Sequence, residues 1–230
     1  MTPDANSPHR AQLLEILATH SFRLGDFTLA SGQKSDYYID CRTSTLHAEG
    51  GRLSGLILYE LIREHIPTAV AVGGLTLGAD PLVSNTASAS AWALADHTET
   101  LQISADLGLD PDSDPNPGPA DAPHLRHGFL VRKAEKTHGA GRRIEGFLEP
   151  GAPVVIVDDV CTTGGSTILA IEAAREAGMV VAGVLCLVDR EQGGRARIEA
   201  VAAPAPFLSV FTADHIRAFH IHLHNPQAGT

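Results

Sequence analysis

The sequence predicts an α/β fold in which helices flank a central, mostly parallel sheet. The first observation is a βαβ unit. An unbroken apolar run over 154–157 is typical of a strand buried on both faces, a helix follows over 168–177, and a second apolar strand spans 180–188. The second observation is another strand, glycine loop and helix at 69–81. Both loops are expected at the carboxyl edge of the sheet, where open α/β sheets bind their ligands.

The remaining elements follow from local patterns. Ser7 and Pro8 are typical of a helix start, and Gly25 is expected to end that helix. Residues 26–40 have the strand, turn, strand pattern of a small hairpin outside the main sheet. The other predictions are a helix over 48–66, a helix over 87–95 that ends near His97, strands at 129–131 and 207–211, and a short helix from Asp214.

These elements divide the chain into three parts. We expect an N-terminal helix and hairpin over 1–45, a core over 46–215, and a C-terminal tail over 216–230. Residues 106–124 interrupt the core, since 106–123 contain five aspartates and five prolines and too little apolar surface to order by packing. We interpret 106–124 as an acidic surface insertion and assign it no role.

Composition excludes several classes of protein. Seventeen basic and 27 acidic residues give a formal net charge of −10, which argues against a nucleic-acid-binding surface. No apolar run reaches the ~18 residues of a membrane-spanning helix, and the first ten residues lack the apolar core of a secretory signal. Cys41, Cys161 and Cys186 are odd in number and lack metal-ligand spacing. We therefore expect reduced thiols and a cytoplasmic protein that binds neither nucleic acid nor a membrane.

The loop after the strand at 154–157 has the composition of a phosphate site. Asp158 and Asp159 come first, and hydroxyls and glycines follow over 161–167. Glycine lets backbone N–H groups approach an anion, and the helix N-terminus adds partial positive charge. Two carboxylates would repel a bare phosphate, so a sugar phosphate, which also carries hydroxyls, is the better ligand. The alternative is an ordinary helix N-cap that follows solvated aspartates.

Two further clusters of side chains are candidates for ligand binding or catalysis. Lys34, Ser35, Tyr37 and Tyr38 combine a cation, a hydroxyl and aromatic rings in the hairpin, which suits a flat, anionic heterocycle. The second cluster follows the strand at 129–131 and combines three fixed cations with an imidazole: Arg132, Lys133, Lys136 and His138. Solvated surface positions are the alternative for each cluster.

The motifs resemble those of a known family. The apolar strand, two acids and Thr/Gly-rich loop at 154–167 resemble the type I phosphoribosyltransferases. The SG-x-x-S-x-Y-Y stretch at 31–38 and the R-K-x-x-K-x-H stretch at 132–138 are similar to those of the orotate phosphoribosyltransferases. The resemblance covers about 7–215 without the insertion, and it implies the type I phosphoribosyltransferase fold with the hairpin as a hood.

The resemblance also implies an activity and its partners. The family transfers the 5-phosphoribosyl group from 5-phosphoribosyl 1-diphosphate (PRPP) to orotate, giving orotidine 5′-monophosphate and diphosphate in pyrimidine (UMP) synthesis. It uses Mg²⁺ held mainly by substrate oxygens. Its members are active as homodimers in which the cationic loop reaches the neighbouring subunit's site.

Site roles are carried over position by position. The implied catalytic residues are Lys136, His138, Asp158 and Asp159. The aspartates hold the ribose hydroxyls. The rest of the PRPP site is Arg132, Lys133, Thr162, Thr163, Gly164, Gly165, Ser166 and Thr167, with Thr76 and Leu77 in the pyrophosphate loop. The orotate site is Lys34, Tyr37, Tyr38, Thr162 and Arg190.

The chain departs from the family pattern at two positions. Ala30 and Leu77 stand where many members have lysine, and we expect Lys34 to compensate for the missing charge. Two other functions stay open: a phosphoribosyltransferase for another base, and a non-catalytic regulator that senses the diphosphate sugar. His220, His222 and His224 alternate, and we expect them on a polar strand edge with no metal site.

Overall fold

A computed structural model describes residues 7–28, 34–107, 122–133 and 143–225. A six-stranded sheet forms its centre, in the order β5-β4-β3-β6-β7-β8. The strands are β3 (Ala71–Leu75), β4 (His127–Val131), β5 (Ile144–Gly146), β6 (Pro153–Cys161), β7 (Val180–Asp189) and β8 (Phe207–Thr212). All neighbours run parallel except β5, which pairs antiparallel with β4.

The strand order reverses between β3 and β6. From β3 the chain moves outward to β4, and then returns to place β6 on the other side of β3. In register, Ala71 lies beside Val154 and Gly73 beside Ile156. Because ligands of open α/β sheets bind where the order reverses, this topology brings the loops after β3 and β6 together at the expected position.

Two hydrophobic clusters cover the two faces of the sheet. Val155 and Val157 belong to one cluster, whereas Val154 and Ile156 belong to the other, as the alternation of strand side chains requires. The helices are α1 (Pro8–Ile16), α2 (Arg42–Thr45), α3 (Ala48–His65), α4 (Asp80–Asp106), α5 (Gly165–Glu176), α6 (Gly194–Ala202) and α7 (Ala213–His224). The first cluster holds buried residues of α1, α3, α4 and α7, and the second those of α5 and α6. The α/β prediction is confirmed.

The N-terminal hairpin is present. A π-helical turn over Leu17–Ser21 follows α1, and β1 (Phe22–Thr28) pairs antiparallel with β2 (Lys34–Ile39). The expectation that Gly25 ends the first helix is wrong, because Gly25 lies within β1. Phe22, 1% exposed, is buried in the first cluster, so packing there starts the strand before the glycine.

Helix α4 extends well beyond the predicted end near His97. Its side chains from Ala91 onward are exposed or half-buried, so this half carries no apolar periodicity to reveal it. The hydroxyls of Thr98 and Thr100 donate to carbonyls one turn earlier, at Leu94 and Asp96. The insertion predicted at 106–124 lies largely outside the described residues.

The C-terminal histidines lie on a helix, so the strand expectation is wrong. Alternation of polar and apolar residues over 218–224 suggested period two, but Thr212 forms a capping box with His215 and starts α7. His220 and His224 are therefore neighbours, with ring centroids 4.2 Å apart. The tail boundary at 216 falls inside this helix, where Ile216 is fully buried. No helix of the described ranges is long and apolar enough to cross a membrane.

Candidate active site

A cavity of about 530 Å³ opens at the carboxyl edge of the sheet, where the strand order reverses. The end of β2, the loop after β3, and the loop from β6 into α5 form its walls. Its lining residues are Tyr38, Ile39, Asp40, Cys41, Arg42, Leu75, Thr76, Leu77, Gly78, Lys133, Asp158, Asp159, Val160, Thr162, Ser166 and Arg190.

Asp158 is the most buried acid of the cavity, with 6% of its surface exposed. The hydroxyl of Thr167 donates to its Oδ2 atom at 2.6 Å, and the Asp159 N–H donates to its Oδ1 atom at 3.1 Å. Burial raises the pKa of Asp158 to about 7, the Thr167 hydrogen bond opposes the rise, and the charge of Asp159 adds to it. A bound cation or hydroxyl donor would therefore favour its charged form at neutral pH.

Asp159 lies next to it and faces the loop after β3. The Val160 N–H donates to its Oδ1 atom at 3.0 Å. Burial raises the pKa of Asp159, while the Val160 hydrogen bond and the charge of Arg42 act in the opposite direction. The two predicted acids are thus brought together, and both line the cavity.

The predicted phosphate loop leads into the first turn of α5. Gly164 is the N-cap, with φ of +77°, a left-handed conformation that favours glycine, and the helix starts at Gly165. Thr162 and Ser166 line the cavity, whereas the exposed Thr163 has its carbonyl bonded to Arg197 at 2.6 Å. The first-turn N–H groups of a helix lack partners in a preceding turn and suit an anion.

Thr76 and Leu77 line the same cavity from the loop after β3, and the peptide between them is cis. Gly78 follows. A Cβ atom there would lie 2.5 Å from Oδ1 of Asp159, so any other residue at this position would displace that carboxylate. Leu77 is 71% exposed and brings no charge.

The hairpin supplies the opposite wall together with Arg190. Arg190 follows β7 and is buried; its guanidinium carbon lies 4.7 Å from the centroid of the Tyr37 ring. Its Nη2 atom donates to the Ser35 hydroxyl at 3.4 Å. Tyr37 in turn stacks on Phe22, and Tyr38 lines the cavity. Residues predicted from two separate segments, Ser35 and Tyr37 in the hairpin and Arg190 after β7, therefore meet.

Other predicted residues lie apart. The Lys34 ammonium donates to Thr28 at 2.8 Å, and the cavity-lining residues named above do not include it. Arg132 pairs with Glu145 at 3.0 Å, while its neighbour Lys133 lines the cavity. Lys136, His138 and Ala30 lie outside the described residues, so their roles stay predictions.

The sequence reading missed Asp40, Cys41 and Arg42. All three line the cavity directly after β2. A charged pair at the end of a predicted strand was the available signal, and the same signal identified Asp158 and Asp159. It was missed because the hairpin was interpreted as a base-binding segment that ends with its strand.

Comparison with known proteins finds similarity to phosphoribosyltransferases. A model of the phosphoribosyl transferase domain matches residues 134–202. The orotate phosphoribosyltransferase of Thermosynechococcus vestitus is 40% identical over 211 residues, which are 91% of this chain and 94% of the relative.

Solved structures of orotate phosphoribosyltransferases are also similar to this chain. The Mycobacterium tuberculosis orotate phosphoribosyltransferase, in complex with Fe(III) dicitrate, superposes with a TM-score of 0.67 at 33% identity over 91% of this chain and 99% of that one. A second structure of that enzyme, in complex with PRPP, gives a TM-score of 0.62 at 28% identity over 91% and 92%. The chain therefore belongs to the orotate phosphoribosyltransferase family.

Proposed function

We propose that the chain is a pentosyltransferase that moves the 5-phosphoribosyl group of PRPP onto orotate, releasing diphosphate and orotidine 5′-monophosphate for pyrimidine (UMP) synthesis. The observation that carries this proposal is the composition of one cavity. A buried carboxylate, Asp158, and a half-buried one, Asp159, lie at its sheet edge, and Arg190 lies over the Tyr37 ring at the hairpin. Family membership supports the reaction, and a related enzyme has been solved with PRPP.

The sheet edge would hold the sugar. Asp158 and Asp159 would accept hydrogen bonds from the ribose hydroxyls, and their negative charge would favour the oxocarbenium-like transition state at the anomeric carbon. The 5′-phosphate would bind the first turn of α5, where Ser166 presents a hydroxyl and the helix start presents N–H groups. Thr167 would act through Asp158, because its hydroxyl already donates to that carboxyl group.

The hairpin side would hold orotate. The Arg190 guanidinium would pair with the anionic base, Tyr37 would fix the guanidinium, and Tyr38 would offer a ring face. Thr162 lines the same cavity and would lie near the carboxylate of orotate. The ring nitrogen attacks the anomeric carbon and loses its proton, and the bond to the diphosphate oxygen breaks.

The cationic loop would stabilise the leaving group. Lys133 lies at the cavity wall and marks where the loop begins. Lys136 and His138 stay the candidates for charge neutralisation and proton donation, beside Arg132. By analogy with oxyanion donors, the loss of one such group would cost about 2.7–4 kcal/mol in activation free energy.

The donor set of the cavity fits Mg²⁺ bound mainly through substrate. Mg²⁺ prefers oxygen ligands and usually keeps only one or two carboxylates from protein. Asp158 and Asp159 could contribute such oxygens, directly or through water, and the described part of the chain has no cluster of three His, Cys, Asp or Glu side chains that could hold a metal. When bound, Mg²⁺ supplies charge neutralisation on the diphosphate.

We also propose an active homodimer. Leu46 is 74% exposed and lies outside the cavity lining, which suits burial against a second copy. Mixing Lys136→Ala subunits with subunits carrying Asp158→Asn and Asp159→Asn tests the shared site, because a mixed dimer would regain one intact centre. No recovery in confirmed mixed dimers would contradict it. A cytoplasmic location is supported by the three free, buried cysteines.

The function is tested by following orotate absorbance with PRPP and Mg²⁺. We expect orotate to disappear only when all components are present, with orotidine 5′-monophosphate and diphosphate formed in equal amounts. Parallel reactions contain hypoxanthine, guanine or uracil in place of orotate. Consumption of one of those bases, with orotate unchanged, would overturn the proposal in favour of a phosphoribosyltransferase for that base. PRPP binding without turnover of any base would favour a regulator.

A further inference from the structure

We infer that Arg42 binds the diphosphate of PRPP and supplies positive charge that many family members place at position 77. This inference rests on the proposed function. It replaces the expectation that Lys34 compensates for Leu77, because Lys34 is bonded to Thr28 on the hairpin while Arg42 lines the cavity.

The position of Arg42 is fixed by its neighbour. Arg42 is the first residue of α2 and follows β2 closely. Its Nε atom donates to Oδ1 of Asp40 at 2.9 Å, and its Nη2 atom donates to Oδ2 at 2.8 Å. Such a two-pronged pair holds a guanidinium in one plane and orientation. The side chain is still 48% exposed, so the held group faces solvent and ligand.

The pair with Asp40 does not exhaust the donors of Arg42. A guanidinium carries five N–H groups in a fixed fork, and the Asp40 carboxylate engages two of them. Three remain for phosphate oxygens, which guanidinium groups recognise in the same two-pronged geometry. Asp40 would therefore act as a positioning residue that orients the guanidinium for its ligand.

The distribution of charge assigns Arg42 to the diphosphate end. Three described cavity residues carry a fixed positive charge: Arg42, Lys133 and Arg190. Arg190 is engaged by Tyr37 and Ser35 at the base end. The lining residues of the loop after β3 are Thr76, Leu77 and Gly78, none of which is charged, so an anion bound against this loop needs a cation from another wall. Arg42 and Asp159 line the same cavity, and the charge of Arg42 opposes the burial-driven rise in the pKa of Asp159.

A purely structural role for the Arg42–Asp40 pair is the rival explanation, and the chain contains a matched control. Arg52 forms the same two-pronged pair with Glu49, at 2.9 and 2.7 Å, near the start of α3. Its side chain is 44% exposed, similar to that of Arg42, and it does not line the cavity. Arg52→Ala therefore reports the loss of an equivalent pair outside the site.

The experiment compares Arg42→Ala, Arg42→Lys and Arg52→Ala by their KM for PRPP, KM for orotate and inhibition by pyrophosphate. Loss of a charge-assisted contact predicts that Arg42→Ala raises KM for PRPP about tenfold and weakens pyrophosphate inhibition similarly. The KM for orotate stays within about twofold, Arg42→Lys is intermediate, and Arg52→Ala matches wild type. Adding Leu77→Lys to Arg42→Ala restores part of the PRPP affinity.

The inference is overturned if Arg42→Ala leaves KM for PRPP unchanged, or raises both KM values equally. Circular dichroism and thermal melting identify a variant that fails to fold. In that case Arg42→Lys, which keeps the positive charge, and Arg42→Gln, which removes it but keeps a polar side chain, decide the outcome by the same comparison of the two KM values. If wild type does not turn over orotate, the proposed function fails. The role of Arg42 is then decided separately by calorimetric titration with pyrophosphate, in which equal affinity for wild type and Arg42→Ala would refute it.

Discussion

The two walls of the cavity are built in different ways. The sheet wall is one continuous stretch, in which β6 ends at Asp158 and Asp159 and the chain turns directly into α5. The opposite wall combines the end of β2 with Arg190, which is 153 residues away from Tyr37 along the chain. Motif recognition can therefore find the first wall, whereas only the fold assembles the second.

The centre of the sheet wall and the outer part of the hairpin wall also differ in burial. Asp158 and Thr167 are 6% and 1% exposed and bonded to each other. Tyr38 is 40% exposed, and the Arg42 side chain is 48% exposed. Buried, hydrogen-bonded groups fix geometry, while exposed groups can adjust to the ligand. We therefore expect substitutions of the two acids to lower turnover strongly, and substitutions of the exposed residues to change substrate affinity.

The largest expected effect is at the two acids. Asp159→Asn or Asp158→Asn removes charge where positive charge develops, and each should lower kcat by about 10²–10³-fold. The measurement is steady-state orotate consumption at saturating substrates. Asp96→Asn on the exposed half of α4 serves as a matched control and should behave as wild type. A rise in KM with an unchanged kcat would contradict the expectation that the acids act on turnover and the hairpin wall on affinity.

Because the pKa of Asp158 is raised in the folded chain, the protein should also become less stable as pH rises. Its pKa in the folded chain, about 7, exceeds the ordinary value of 3.8, so between these values the folded state holds a proton that the unfolded state has lost. The free energy of unfolding therefore falls as pH increases from about 4 to 7, by up to about 4 kcal/mol. Asp158→Asn should remove this slope.

Urea unfolding at pH 5 and pH 8 measures the difference between wild type and Asp158→Asn, so that other titrating groups cancel. We expect Asp158→Asn to be relatively more stable at pH 8 than at pH 5. Parallel changes in the two proteins would show that burial of this carboxyl group has no energetic cost.

On the hairpin wall, Tyr37→Leu should raise KM for orotate. It removes the ring beneath the Arg190 guanidinium, a contact worth about 1–2 kcal/mol when shielded from water, or roughly five- to thirtyfold in affinity. Tyr37→Phe keeps the ring and should stay close to wild type. Equal effects of the two substitutions would assign the role to the hydroxyl group instead.

The smallest effect is expected where the hairpin meets α7. Arg217 pairs with Asp36 at 2.6 Å, but both side chains are substantially exposed. Exposed ion pairs contribute about 0–1 kcal/mol, so Arg217→Ala should leave both KM values unchanged and lower the free energy of unfolding by no more than that. Thermal melting and the standard assay suffice. A large rise in KM for orotate would mean that α7 holds the hairpin in place for binding.

The sequence predicted much of the sheet wall because its signals are local. The apolar run, the acids and the glycine loop are contiguous, and the same holds for the loop after β3. Arg190 and Tyr37 were each identified, but their contact depends on the topology of the whole sheet. Arg42 was missed because its significance comes from the cavity that it lines and from the uncharged Leu77 in the same lining.

The errors in secondary structure have a similar origin. The second half of α4 packs against little, so no apolar period marks it. The alternation at His220, His222 and His224 imitates a strand, and only the cap at Thr212 and the burial of Ile216 select the helix. Local patterns are informative where one face is buried, and ambiguous where solvent covers most of an element.

The most direct test of two walls serving two substrates is a pair of KM values measured for two variants. Ser166→Ala removes a hydroxyl from the sheet wall, and Arg190→Lys removes the planar guanidinium from the hairpin wall. We predict a crossed result: Ser166→Ala raises KM for PRPP with little change for orotate, and Arg190→Lys does the reverse. If both variants raise the same KM, or each raises both equally, the division of the cavity between sugar and base is contradicted.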